Sequence, residues 1–334
     1  MRNEKITETG ERAEGPAPGR RGFLKCMAWA GTGLLWTLEG GVLRSRALAD
    51  QGPAGGAFRF VQVSDTHVGF KADANPDALA TLDRAVELVR AAAPSAPLLI
   101  HTGDLSHAQK EGAFATVEEH LRPAGAQEVV YTPGEHDVFA DGGAEFLHRF
   151  GRETVGGRGW RSFDAGGIHF VGLVNVLDYK KDKLGSLGDD QLAWLASDLG
   201  GVAASTPVVV YAHVPLWALY PGWGWATGDG ERALALLRRF GSVTVLNGHI
   251  HQVMQKVEGR VAFHTAASTA FPQPAPGQGP GPGPVKVPAE RLGRVLGVRT
   301  VSYLPGSGPL AVVDHPLTGD VVEAAAGAAM RAEH

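Results

Sequence analysis

The chain has 334 residues, 44% hydrophobic and 20% charged, with 46 Gly and 21 Pro, a globular composition that excludes a disordered, collagenous or multi-span membrane protein. Formal net charge is −4, and residues 50–334 carry 23 Lys/Arg against 30 Asp/Glu, so the chain lacks the basic surplus that nucleic-acid binding by counterion release requires. The one cysteine, Cys26, excludes an internal disulfide and a thiolate zinc cluster, which leaves 13 histidines and the carboxylates as the available metal chemistry.

Residues 1–19 are polar, rich in Gly, Glu and Pro and without hydrophobic period, and are expected to be disordered. Arg20-Arg21-Gly22-Phe23-Leu24-Lys25 then precedes a mostly apolar run from Cys26 to Leu38, which falls short of the roughly 20 residues a membrane span needs. Ala47-Leu48-Ala49 offers small residues at alternate positions, as a signal peptidase accepts. Residues 1–49 therefore resemble a twin-arginine signal peptide cleaved before Asp50, which implies export by the twin-arginine translocase to the periplasm or beyond. Such a passenger crosses folded, so a metal can be loaded in the cytoplasm.

From residue 50 the text alternates between strands and helices. Phe58–Val63 reads as a strand and runs into Ser64-Asp65-Thr66-His67. Leu79, Leu82, Val86 and Val89 then fall at helical spacing after Asn75-Pro76, and this helix closes near Pro94. The short apolar strand Pro97–Ile100 ends at His101-Thr102-Gly103-Asp104. A helix fits Glu111–Leu121, and the strand Glu128–Tyr131 ends in Gly134-Glu135-His136-Asp137. A strand pair around Arg161–Leu173, a helix Asp189–Leu199, a strand Pro207–Ala212 ending at His213 and a helix Glu231–Arg239 follow. The strand Ser242–Leu246 leads into Gly248-His249-Ile250-His251, and beyond residue 252 the pattern is mostly strand. Residues 272–288 hold 7 Pro and 4 Gly in 17 positions and read as a surface loop. Alternation with polar residues at strand C-termini is the layout of an α/β sheet whose site lies along that edge.

Five strand ends thus carry His, Asp or Glu. In Asp65-x-His67, continued strand alternation would point both side chains the same way, so an oxygen and a nitrogen donor can share one metal, and His249-x-His251 repeats the spacing with two imidazoles. Gly103 lets the backbone turn before Asp104, whose carboxylate can bridge two cations; imidazole with carboxylate suits manganese, iron and zinc.

These motifs, Asp65-Thr66-His67-Val68-Gly69, Gly103-Asp104, Gly134-Glu135-His136-Asp137, His213 and Gly248-His249-Ile250-His251, resemble those of the calcineurin-like metallophosphoesterase superfamily. They occur in its order over residues 58 to about 265. The resemblance implies an αββα sandwich, two mixed β-sheets packed together and flanked by helices, over residues 50–334. It also implies two metal ions, one held by Asp65, His67, Asp104 and His251, the other by Asp104, Glu135, His213 and His249. A hydroxide bridging them would attack the phosphorus of a small phosphoester. His136 would assist the leaving oxygen and Asp137 would orient it.

The family usually has Asn where this chain has Glu135. With two divalent cations, Asp65, Asp104 and Glu135 leave roughly one net positive charge where Asn leaves about two. Three readings of Glu135 stand: compensation by trivalent iron or a preference for singly charged phosphodiesters, a merely longer oxygen ligand, or loss of catalysis in a metal-binding homologue. The Asp-x-His start and Gly-His-x-His end are most similar to the bacterial cyclic-nucleotide and phosphodiester branch, with a broad phosphomonoesterase as the alternative. His107 stands where the purple acid phosphatase branch has a tyrosine ligand, and is expected to contact a ligand or the substrate. Trp217, Tyr220, Trp223 and Trp225 crowd the loop after His213; Trp223 and Trp225 are candidate substrate contacts, against the plainer reading of loop packing. His101 and His264 read as core histidines.

Overall fold

The computed structural model describes residues 34–39, 42–47, 56–179, 184–306 and 309–318. The chain divides into two compact units, Met1–Gly52 and Pro53–His334. In the first, β1 (Leu34–Glu39) pairs antiparallel with β2 (Val42–Ala47), Leu34 opposite Ala47. The paired arginine, the start of the apolar run, Leu48 and Ala49 lie outside the described residues.

The second unit is built on two sheets. In one, β3 (Phe58–Val63), β4 (Leu98–His101) and β5 (Glu128–Tyr131) run parallel, and β12 (Gly297–Tyr303) and β13 (Ala311–Pro316) extend it antiparallel in the order β13-β12-β3-β4-β5. The other contains β6 (Arg161–Ala165), β7 (Ile168–Gly172), β8 (Val208–Tyr211), β9 (Val243–Asn247), β10 (Met254–Glu258) and β11 (Val261–Thr265), in the order β10-β11-β9-β8-β7-β6. Its four inner strands are parallel and its two edge strands antiparallel.

Alternation along the strands explains the layers. Phe60 of β3 faces the other sheet, where its ring meets Phe170 of β7 edge-on at 5.2 Å, and Leu98, Ile100, Val209, Tyr211 and Val301 fill the same interface. The neighbours of Phe60 point outward: Val61 and Val63 pack under α1 (Ala78–Ala92), α2 (Ala113–Leu121) and α3 (Ala144–Phe150). On the far sheet, Val208, Val210, Val243 and Val245 pack under α4 (Gly188–Gly200) and α5 (Gly230–Leu237). The resulting order is helix, sheet, sheet, helix, as the resemblance implied. The short helices α3 and α6 (Ala289–Val295) were not expected from the hydrophobic pattern; each is only seven residues long.

Polar groups of the first sheet cross to the second. Arg299 of β12 is fully buried, and its guanidinium donates to Asp314 Oδ1 at 2.8 Å, Gln62 Oε1 at 3.1 Å and the Thr265 carbonyl of the opposite sheet at 2.9 Å. Gln62 in turn donates to Thr102 and to the Asn247 carbonyl. All these donors are matched, as burial of a charge demands. The tie fixes the ends of β3 and β9 relative to one another, and the candidate site begins at those ends.

Candidate metal centre

The site forms where β3, β4, β5, β8 and β9 end. The loop after β3 is zipped to the loop after β4 by backbone bonds: Asp65 N–H donates to Gly103 O at 3.0 Å, His67 to Asp104 O at 2.9 Å and Val68 to Leu105 O at 2.9 Å. The loop after β9 is attached by the His249 N–H, which donates to Asp65 Oδ1 at 3.0 Å.

The paired spacing does what was expected by a different route. Strand alternation does not aim Asp65 and His67, because β3 stops at Val63, nor His249 and His251, because β9 stops at Asn247. Five donors instead adopt the left-handed backbone that L-residues avoid: Asp65 (φ 54°), His67 (40°), Asp104 (52°), His249 (69°) and His251 (54°). Such residues cost on the order of 1–3 kcal/mol each and concentrate at sites that need unusual side-chain directions. Two glycines permit the convergence. A Cβ on Gly103 (φ 97°) would strike the His213 ring, and one on Gly134 would strike the Asp104 carboxylate and backbone.

Alongside two half-buried donor groups, His67 with His107 and His136, and Asp104 with Glu135 and His136, two fully buried ones result. Asp65, His67, Asp104 and His251 form one, and Glu135, His213 and His249 the other; within each, the ligand atoms lie within 4.8 Å of one another and every residue is buried. Asp104 Oδ2 lies between them, 3.4 Å from His67 Nε2 and 3.5 Å from His213 Nε2, where a carboxylate shared by two cations would stand. Glu135 reaches between two imidazoles, 2.8 Å from His213 Nε2 and 3.0 Å from His249 Nδ1. All seven expected ligand residues are thus brought together.

The arrangement fits cations. His213 Nδ1–H donates to the Thr102 carbonyl at 2.7 Å and His251 Nδ1–H to the Phe271 carbonyl at 2.6 Å, which presents the Nε2 lone pair of each to the centre. His249 Nε2 is buried without a hydrogen-bond partner, and the Nε2 atoms of His67 and His251 face each other at 3.1 Å. Burial, reinforced by His251, His136 and His107, holds His67 well below the usual imidazole range and so neutral, as a ligand must be. Burial opposes ionisation of Asp65 and Glu135, but the imidazoles of His251 and of His249 and His213 respectively overcome it, so both carboxyls titrate low. His213 is pushed the other way: burial disfavours its charge, yet Asp104 and Glu135 raise its pKa well above the ordinary value. The two carboxylates thus favour positive charge at the point toward which His213 Nε2 is turned.

His136 backs onto the first group, its ring 4.9 Å from His67 and stacked at 4.9 Å on His107. Burial lowers its pKa, and the carboxylates of Asp104, Glu135 and Asp137 more than offset this, so it holds its proton more tightly than a free imidazole. Its backbone N–H donates to Asp104 Oδ1 at 2.9 Å. His107 Nδ1 is 3.3 Å from His67 Nδ1, so it contacts a ligand residue from behind, one of the two places expected for it.

Asp137 needs a correction. Its carboxylate accepts from the N–H groups of Leu105 (3.0 Å), Ser106 (2.9 Å) and Gly134 (2.9 Å) and from the Ser106 hydroxyl (3.1 Å), and no bond to the His136 ring is found among the described residues. It is fully buried. It therefore positions the loops after β4 and β5 rather than orienting the His136 imidazole. The motif spacing could not reveal this, because adjacent side chains in the tight turn Glu135–Asp137 point apart.

The centre opens into a cavity of about 630 Å³. Trp223 and Trp225 line it as expected, with Trp225 fully buried and in edge contact with Trp223 at 5.1 Å. Trp217 instead packs on Phe263 in the core, 4.9 Å away. Gln273, Pro282, Gly283 and Pro284 of the Pro/Gly loop also line the cavity. That loop is closed at its neck by Val285 N–H donating to the Pro272 carbonyl at 2.9 Å. Gln273 adds a tie beside it, donating to His249 O at 2.9 Å and accepting from Gly283 N at 3.2 Å. Phe139, Tyr179 and Phe271 complete the wall and were not anticipated; lone aromatics in separate loops carry no spacing signal.

Comparison with known proteins sets this geometry in a class. A dimetal phosphatase from Danio rerio superposes with a TM-score of 0.56 at 15% identity, covering 77% of this chain and 98% of that one. Purple acid phosphatase PPD1 from yellow lupin gives a TM-score of 0.57 at 13% identity over 79% of this chain and 52% of its own. The shared feature at this distance is the two-sheet sandwich. Purple acid phosphatase 15 of Arabidopsis thaliana is 32% identical over 120 residues, which span 35% of this chain and 21% of the relative. The model of the calcineurin-like phosphoesterase family matches residues 58–253. The chain belongs to that family.

Proposed function

We propose that the protein is a hydrolase of phosphoester bonds that works with two metal ions, manganese, iron or zinc, and prefers phosphodiesters to monoesters. The observation that carries this reading is the pair of buried donor groups joined at Asp104 Oδ2, 3.4 Å and 3.5 Å from an imidazole of each. Bound there, two cations would activate water as a nucleophile and neutralise charge developing on the phosphoryl oxygens. The chain's own residues do the rest. Asp65, His67, Asp104 and His251 would hold one cation, and Asp104, Glu135, His213 and His249 the other. His136, whose proton is held by surrounding carboxylates, donates to the departing oxygen. Asp137 fixes the loops that carry Asp104 and His136.

Glu135 supports the diester preference. Its carboxylate sits between two ligand imidazoles, so the occupied centre carries one positive charge fewer than with Asn and attracts a dianionic monoester less. Hydrolysis of bis(4-nitrophenyl) phosphate and 4-nitrophenyl phosphate, measured in parallel after reconstitution with each metal, tests it. The expected outcome is a higher kcat/KM for the diester and a shift toward the monoester in Glu135→Asn. A monoester preference in the native protein would overturn the charge argument, and metal binding without turnover on either ester would overturn the hydrolase reading.

Export through the twin-arginine route rests on Arg20-Arg21, the apolar run and Ala47-Leu48-Ala49. Cell fractionation of native protein and an Arg20→Lys/Arg21→Lys variant tests it, with cytoplasmic retention of the variant expected.

A further inference from the structure

The polar part of the cavity wall is almost entirely accounted for by the metal donors, His107 and His136. What remains is aromatic and apolar. Phe139 is 50% exposed on the cavity wall, and its ring lies 5.7 Å from that of His136. Tyr179 continues the surface, 6.2 Å from Phe139 and 5.9 Å from His249. Trp223 faces the same space and is held by Trp225 behind it. Among the described residues, neither Lys nor Arg lines the cavity. Lys180, Lys181 and Lys183 follow Tyr179 in the sequence and lie outside the described residues.

We propose that Phe139, Tyr179 and Trp223 form a subsite for the leaving group, selecting phosphoesters whose alcohol is flat and aromatic. This rests on the hydrolase reading above. The position follows from the proton donor: beside the His136 ring, Phe139 at 5.7 Å is the first apolar surface of the cavity wall, and Tyr179 continues it at 6.2 Å, so an ester oxygen receiving the proton of His136 can lay its carbon substituent there. Stacking suits an aryl or nucleoside-like ring, because every such ring presents a π-face.

The test compares two phosphodiesters that share a non-leaving ethyl group and differ in leaving alcohols of matched acidity: ethyl 1-naphthyl phosphate and ethyl hexafluoroisopropyl phosphate. Comparing their kcat/KM ratio between native and variant cancels intrinsic reactivity. The native protein should favour the naphthyl ester by about tenfold or more. In Phe139→Ala and Tyr179→Ala the ratio should fall toward one, and Phe139→Trp should retain it. Melting temperatures confirm that the variants are folded. A native ratio near one, or a ratio unmoved in both alanine variants, overturns the subsite. Absence of turnover on both esters with metals bound is a different failure: it overturns the hydrolase reading, and the subsite falls with it.

Discussion

The floor of the cavity and its aromatic wall are made in opposite ways. Every donor in the floor lies within a few residues of a strand end, on loops zipped to one another by backbone bonds and tied beneath by Arg299 and Gln62. The wall is gathered from four loops distant in sequence, at Phe139, Tyr179, Trp223 and Phe271; Phe139 meets Tyr179, Trp223 rests on Trp225 of its own loop, and Phe271 packs on the floor imidazoles of His67 and His251. Reaction chemistry is thus encoded locally and selectivity by assembly. Changes to the floor should abolish turnover, whereas changes to the wall should redistribute it among substrates.

The sharpest way to break this contrast is at Asp104, the residue both donor groups share. Asp104→Ala should lower kcat/KM by on the order of a thousandfold or more and reduce bound metal below two ions per chain by elemental analysis. A variant that keeps both ions and most activity would remove the basis for a two-metal floor. Next in size is His136→Ala, expected to cost about a hundredfold or more in kcat, with a larger loss for less acidic leaving alcohols. An equal loss across alcohols would dissociate His136 from the leaving group.

Removing the cations should expose the strain stored in the left-handed donors. Each ion present at about a hundred times its dissociation constant contributes about 2.7 kcal/mol, so chelation should lower the melting temperature by about 5–10 °C. No change would mean the loops hold their conformation unaided. Beneath the floor, His101 accepts from the Gly103 N–H at 3.3 Å and faces the Thr66 hydroxyl at 3.2 Å, and burial drives its pKa to about 3. Between that value and the free imidazole range the unfolded chain binds the extra proton, so stability falls as pH drops through this window. The loss is about 2 kcal/mol by pH 5, and His101→Gln should flatten the acid limb measured by urea unfolding. The smallest effect lies outside both floor and wall: Lys286 meets Asp73 at 3.2 Å in an exposed pair, and Lys286→Ala should cost under about 1 kcal/mol.

Most of the floor was legible because its residues are polar letters closing apolar strands. Asp65, His67, Asp104, Glu135, His213, His249 and His251 could be picked out, and the structure gathers all of them. Their directions were not legible, because left-handed φ values at Asp65 and His249 depend on what the loop meets across the cleft. The role of Asp137 was hidden for the same reason: its partners Leu105 and Ser106 are some thirty residues away. Of the fold, the β/α alternation was readable from period. The pairing of β12 beside β3 was not, since it joins the last part of the chain to its first sheet and leaves no local trace. Trp217 shows the limit of composition: it stands among the cavity tryptophans in sequence and in the core in space.

The Pro/Gly loop is drawn together at its neck by two adjacent ties, Val285 to Pro272 and Gly283 to Gln273, and Gln273 also fastens it to the His249 carbonyl, so its ends have little freedom left to surrender when a ligand arrives. Its share of the rim is a framed doorway, held by its drawn-together ends to the strand-end loop that carries His249.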